Sequence, residues 1–176
     1  MTRVYIPPMD RPTVRLAIVM ERVSTDNRWQ SYRWQPIGAL GDTEVSGSAP
    51  QTIVRHDDLL QRVYPGMELT LFKDEAEGYY LNITSPEPRL FVMWRVNEDK
   101  LETEEEAEPF MLTVSYNEAA RWMDAQEKVD GIPLPQPLLP WVAEFVEQHY
   151  KPEGKKQRVR PKSFESKEGR YKNMGS

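Results

Sequence analysis

The chain has 176 residues, of which 23 are Lys or Arg and 28 are Asp or Glu, with no cysteine. A body of this size can bury a self-sufficient core, and the absence of thiols excludes disulfides, thiolate metal sites, iron–sulfur ligation by its own side chains and a cysteine nucleophile. Charge is unevenly divided: residues 151–176 hold nine basic and three acidic side chains, a net +6, which leaves 14 basic and 25 acidic, a net −11, before them.

The opening MTRVYIPPMDRPTVRL is broken by Pro7, Pro8 and Pro12 and by charges at Arg3, Asp10, Arg11 and Arg15, so it lacks the apolar run of a secretion signal. No run approaches membrane-spanning length, and the cytoplasm is the expected compartment. Residues 1–11 read as an extension. From Thr13 to Arg22, Val14, Leu16, Ile18 and Met20 alternate with polar neighbours, the pattern of a half-buried strand. Over 29–40, Tyr32, Trp34 and Leu40 share one parity, whereas Trp29, Ser31 and Arg33 share the other. Two tryptophans five residues apart cannot both face the core of a regular strand, so Trp34 is expected inside and Trp29 with Arg33 outside or at the strand mouth, unless a bulge intervenes.

Segment 41–51 reads as a loop, and Thr52–Arg55 and Leu59–Tyr64 as weaker strands. After a Pro65-Gly66 turn, Met67–Phe72 and Tyr79–Thr84 alternate on either side of KDEAEG and predict a hairpin. Leu90–Val96 places Leu90, Val92, Trp94 and Val96 on one parity, with Phe91, Met93 and Arg95 on the other. The acidic stretch 98–109 reads as a solvated connection and Phe110–Val114 as a short strand. Ser115-Tyr116-Asn117-Glu118 is a capping-box pattern, and Ala119, Trp122, Met123 and Gln126 continue it as a helix of about twelve residues that Gly131 ends. IPLPQP is too proline-rich for a helix or a central strand. Behind it Leu138, Trp141, Val142, Phe145 and His149 repeat at helical spacing, with Pro140 tolerable in the first turn and an end near Tyr150.

The predicted fold is α+β: an antiparallel β-sandwich or open β-barrel of about six to eight strands, two C-terminal helices and a basic, disordered tail, with residues 12–150 as one domain. Chemistry-bearing patterns are sparse. His56-Asp57-Asp58 offers two metal-ligand types, but adjacent residues alternate across a strand, and His149 suits a helix C-terminus. No metal, cofactor or catalytic residue is assigned. Paired carboxylates in the acidic body keep an enzymatic reading open, since they need no sequence signature. The candidate partner-binding residues are Trp29, Arg33, Tyr80 and Arg95, because exposed aromatics beside arginine are enriched at interaction hot spots. Lys155, Lys156, Arg158, Arg160 and Lys162 in the tail suit an anionic partner.

MERVSTDNRWQSYRWQPIGAL, EGYYLNITSPEPRLFVMWRV and PFMLTVSYNEAARWMDAQEKVDGIPLPQPLLPWVAEFVEQHY, in that order, resemble an uncharacterised bacterial domain family. The spaced W-x-x-x-x-W, the Y-x-L-N segment before V-M-W-R and the P-x-P-linked helix with W-V-x-x-F-V carry the resemblance, over about residues 12–150. Genes of that family tend to lie near those for molybdenum-dependent formate dehydrogenases and their accessory proteins. The resemblance implies a neighbourhood and no catalytic residues. Two functions follow as expectations: a non-catalytic accessory or interaction protein for such a molybdoenzyme or its maturation factors, or a nucleic-acid or anionic-surface binding module. The second would use phosphate contacts of the tail and bases stacked on Trp29 or Tyr80, against the charge of the acidic body.

Overall fold

The computed structural model describes residues 11–29, 32–97 and 106–152. Among them β1 (Thr13–Ser24), β2 (Tyr32–Gly41), β3 (Gln51–Arg55) and β4 (Leu59–Thr70) form an antiparallel sheet of order β2-β1-β4-β3. A second sheet of order β6-β5-β7 comprises β5 (Arg89–Asn97), β6 (Glu106–Thr113) and β7 (Lys128–Pro133). The α+β class is therefore observed as seven strands in two sheets, without a closed barrel. Three helices accompany them: α1 (Ala76–Ile83), α2 (Tyr116–Asp124) and α3 (Leu138–His149).

One core joins the sheets. Leu16, Ile18 and Met20 of β1 pack in the same cluster as Leu90 and Val92 of β5, and Val142 and Phe145 of α3 add to it. The alternation expected for β1 is correct, yet its other face is buried too, because Ala17 and Val19 form a smaller cluster with Val63. Ile37 and Val45 pack against that cluster.

Three irregularities shape the first sheet, one of them on β3 between Thr52 and Val54. Between Leu16 and Ile18, β1 advances two residues while β4 advances three, from Met67 to Tyr64, so Pro65-Gly66 marks an irregularity within one long strand instead of a turn. Gly66 has φ +79°, and its N–H donates to Asp42 Oδ1 at 2.8 Å. The second bulge lies on β2, where Val19 pairs with Gly38 but Met20 pairs with Pro36, leaving Ile37 extra. It reverses the parity beyond it: Leu40, expected with Trp34, is exposed, whereas Ala39 packs on the core.

Other expectations need correction. Tyr79–Thr84 is not the second strand of a hairpin; most of it belongs to α1, and Leu81, expected inward, is exposed. Ala76, Tyr79 and Ile83 also satisfy helical spacing, and a six-residue window cannot separate the two periods. Asn82, polar and thus outside the apolar pattern, is fully buried. Its amide donates to Arg89 O at 2.7 Å and Val114 O at 2.9 Å and accepts from Arg89 N at 2.9 Å, fastening α1 to β5 and to the end of β6. Strand β6 also begins at Glu106, inside the stretch read as an acidic loop.

The capping box at Ser115 forms as expected, its hydroxyl accepting from Glu118 N at 3.1 Å. The helix, however, stops at Asp124. Gln126 takes φ +65° and donates to Met123 O, while Glu127 N donates to Trp122 O, which is the paired bonding of a Schellman cap. Without glycine at this position the stop has no obvious sequence signal. Gly131 instead lies in β7 opposite Phe91, whose ring would be 3.3 Å from an added Cβ. β7 is an edge strand, which accommodates Pro133. α3 matches its expected bounds, and no described helix is long and apolar enough to cross a membrane.

The left-handed Gln126 gives a direct test. Gln126→Gly should raise stability by about 0.5–1 kcal/mol in chemical denaturation, because glycine adopts this φ without a Cβ penalty. A loss of stability would contradict the cap geometry.

Candidate functional site: a cationic cleft beside two tryptophans

Where the edge of β2 approaches β7, the two sheets leave an open cleft of about 340 Å³ lined by Arg33, Trp34, Gln35, Trp94, Val96, Lys128 and Asp130. The two tryptophans form its inner wall and are both buried. Trp34 stands opposite Arg22 in the β1–β2 ladder, and the Arg22 guanidinium lies 4.3 Å from the Tyr32 ring centroid and 5.9 Å from that of Trp34. Trp94 donates its indole N–H to Asp130 Oδ2 at 2.6 Å, and Lys128 Nζ sits 4.9 Å from its ring centroid. Lys128 and Asp130 reach the same cleft because alternate residues of a strand share a face.

The remaining wall is polar. Arg33 Nη2 donates to Gln35 Oε1 at 3.0 Å, and Gln35 Nε2 donates to Glu21 Oε1 at 3.4 Å. The other Glu21 oxygen accepts from Gln61 Nε2 at 2.8 Å. Trp29 lies on the turn before β2 and is 93% exposed, its backbone N–H held by Asn27 Oδ1 at 3.0 Å. Trp34 is inside and Trp29 outside, as expected, but β2 begins only at Tyr32, so strand parity does not extend to Trp29, and Tyr32, expected on the parity of Trp34, is exposed.

The four predicted binding residues do not form one cluster. Arg33 lines the cleft and Trp29 sits four residues before it. Tyr80 is on α1, stacked on Tyr150 with ring centroids 4.6 Å apart. Arg95 points away from Trp94, bonds Glu127 at 2.8 Å and lies 3.9 Å from the Phe110 centroid. Lys128 and Asp130 escape sequence reasoning because the helical pattern expected up to Gly131 hides a period of two. The tail residues Lys155, Lys156, Arg158, Arg160 and Lys162 lie outside the described residues.

Two buried polar clusters hold the scaffold elsewhere. Tyr64 Oη donates to Glu106 Oε1 at 2.9 Å, Arg62 pairs with the same carboxylate, and burial pushes the Tyr64 hydroxyl up to about 12. Glu75 accepts from Ser115 Oγ at 2.5 Å and pairs with Arg121. Burial likewise raises Glu118, which lines a second groove of about 480 Å³ between β4 and β6. Ser115 itself is fully buried, which denies a substrate access to its hydroxyl. His149 packs on Phe145, and the backbone of His56 closes the turn to Leu59. Among the described residues no three His, Asp or Glu side chains gather as a metal site.

Fold and cleft together define an α+β two-sheet domain with a polar, aromatic-walled recess at one sheet edge. The chain belongs to the family described as "Protein of unknown function (DUF3305)", whose model matches residues 15–160. No curated protein and no solved structure matches it.

The two tryptophans should separate on substitution. Trp34→Ala should destabilise the fold by about 3–5 kcal/mol, as expected for deletion of a large core side chain, whereas Trp29→Ala should stay within about 0.5 kcal/mol. Equal losses in denaturant titrations would contradict the burial assignment.

Proposed function

We propose that this chain is a non-catalytic interaction protein that contacts its partner through Trp29 and the cleft at Arg33. The exposure of Trp29 carries the reading. The other four tryptophans are buried or half-buried, whereas this one presents nearly its whole surface to water. An indole so placed adds little to monomer stability, and tryptophan is among the residues most enriched at binding hot spots. Arg33, four residues on and exposed at the cleft rim, supplies the second residue type enriched there.

For the partner, the resemblance noted in the sequence points to a molybdenum-dependent formate dehydrogenase or one of its maturation factors, with this chain supporting assembly. Genomic neighbourhood is the basis of that assignment, and it specifies no chemistry. The competing reading, a nucleic-acid or anionic-surface binder, rests on the +6 charge of residues 151–176. Its proposed base platform is weaker at Tyr80, one face of which is covered by Tyr150.

Affinity purification from the native host followed by mass spectrometry tests the proposal. The molybdoenzyme or a maturation factor should co-purify with the wild-type chain, and Trp29→Ala should reduce its recovery at least about tenfold while leaving thermal stability unchanged. Recovery of nucleic acid without such a protein would support the competing reading instead.

A further inference from the structure

We infer that the cleft beside Trp34 and Trp94 accepts an acidic segment of a protein partner, with a carboxylate seated between Arg33 and Lys128. This rests on the interaction reading above and specifies the chemistry of its partner. The observation behind it is a pair of cations lining one cleft, neither of them in an ion pair with a described carboxylate. Five described arginines are matched to carboxylates: Arg15 to Glu68, Arg62 to Glu106, Arg89 to Glu87, Arg95 to Glu127 and Arg121 to Glu75. At the cleft, Arg33 bonds the neutral amide of Gln35, and Lys128 rests on the Trp94 ring.

Nearby carboxylates are engaged differently. Asp130 takes the Trp94 indole proton, and Glu21 takes the amides of Gln35 and Gln61. Among the described residues, no carboxylate forms an ion pair with either cleft cation. Arg33 and Lys128 outweigh Asp130, giving the lining a net charge of +1 within a body of −11. Buried indoles behind the cations keep high-dielectric water off one side, which strengthens their attraction for an anion at contact. Beyond about 8 Å, salt screens both this attraction and the repulsion from the acidic body. A carboxylate in the cleft also forms a charge-assisted bond that exceeds the neutral amide contact it replaces.

Trp29 favours a peptide over a small anion. Four residues separate it from Arg33, so the two positions lie within about 14 Å even if the chain between them is fully extended. A short acidic segment carrying one apolar side chain could therefore engage both. The arrangement gives the partner a charged contact that fixes register and an aromatic contact that excludes water.

The test uses the full chain and a labelled, acetylated decapeptide of alternating Glu and Ala with one central Leu, followed by fluorescence anisotropy. Binding at low salt should weaken about tenfold with Arg33→Gln and again with Lys128→Gln, because each removes one charge-assisted contact. Arg15→Gln, away from the cleft, should leave it unchanged, and Lys128→Arg should preserve it. The matched Gln-Ala peptide should not bind. Equal binding by wild type and both cleft variants would overturn the inference, as would full displacement by an equal concentration of inorganic phosphate, which would mark a small-anion site. Host capture of a molybdoenzyme that is insensitive to the Arg33→Gln/Lys128→Gln pair would sink this inference and leave Trp29 alone as the contact of the proposed interaction protein. Cleft-dependent peptide binding without such capture would support this inference and count against the molybdoenzyme as partner.

Discussion

Burial of two sheet faces against each other is the constraint from which the rest of the molecule follows. Ile18 and Met20 on one sheet and Leu90 and Val92 on the other are completely removed from water, and these four positions fix which parity of β1 and β5 faces inward. A one-residue slip in either strand would turn that whole set outward. Trp34 and Trp94 continue the same inner faces toward one edge of the sandwich. Their neighbours Arg33 and Lys128 consequently emerge at a common rim, and the cleft is a by-product of core register.

The polar interior makes this register specific. Tyr64 and Arg62 reach across from β4 to Glu106 on β6, so one carboxylate joins the two sheets. Breaking such a buried pair by removing one partner is far more costly than the pair's net worth. Asn82 performs the corresponding role for α1, where it satisfies three backbone groups at once. Gly78 permits the close approach that follows: a Cβ there would fall 2.0 Å from Ser115 Oγ, the hydroxyl that both caps α2 and bonds Glu75. Packing, capping and charge pairing thus meet at a single helix contact. This scaffold work accounts for the most conspicuous buried ionisable groups without requiring a reaction.

Much of the architecture was legible because its signals are local. The core-facing parity of β1 and β5, the Ser115 capping box and the apolar stripe of α3 each appear within a dozen residues and are observed, although Phe91 and Met93 on the other face of β5 are buried too. The misread elements share a different property. Tyr79–Thr84 fits both a strand and a helix period, and only its packing on Phe145 and the buried Asn82 decide between them. The α2 stop relies on a left-handed Gln126, a conformation glycine would have advertised. Pro65-Gly66 carries turn chemistry but serves as a bulge within β4. For the cleft, Trp34 was legible as a core residue of β2, but Trp29 precedes that strand and no local pattern could bring Lys128 and Asp130, nearly a hundred residues away, to the cleft of Arg33. That contact is created by the pairing of β7 with β5 and the facing of the two sheets.

Trp29 and the cleft at Arg33 are proposed as a protein-binding surface. Hydrogen–deuterium exchange on the complex isolated from the native host, compared with the free chain, tests it most directly. Peptides covering residues 26–36 and 126–131 should slow in exchange on binding, while β3 and the outer surface of α3 remain unchanged. Protection confined to other parts of the body, with those two stretches exchanging as in the free chain, would contradict it.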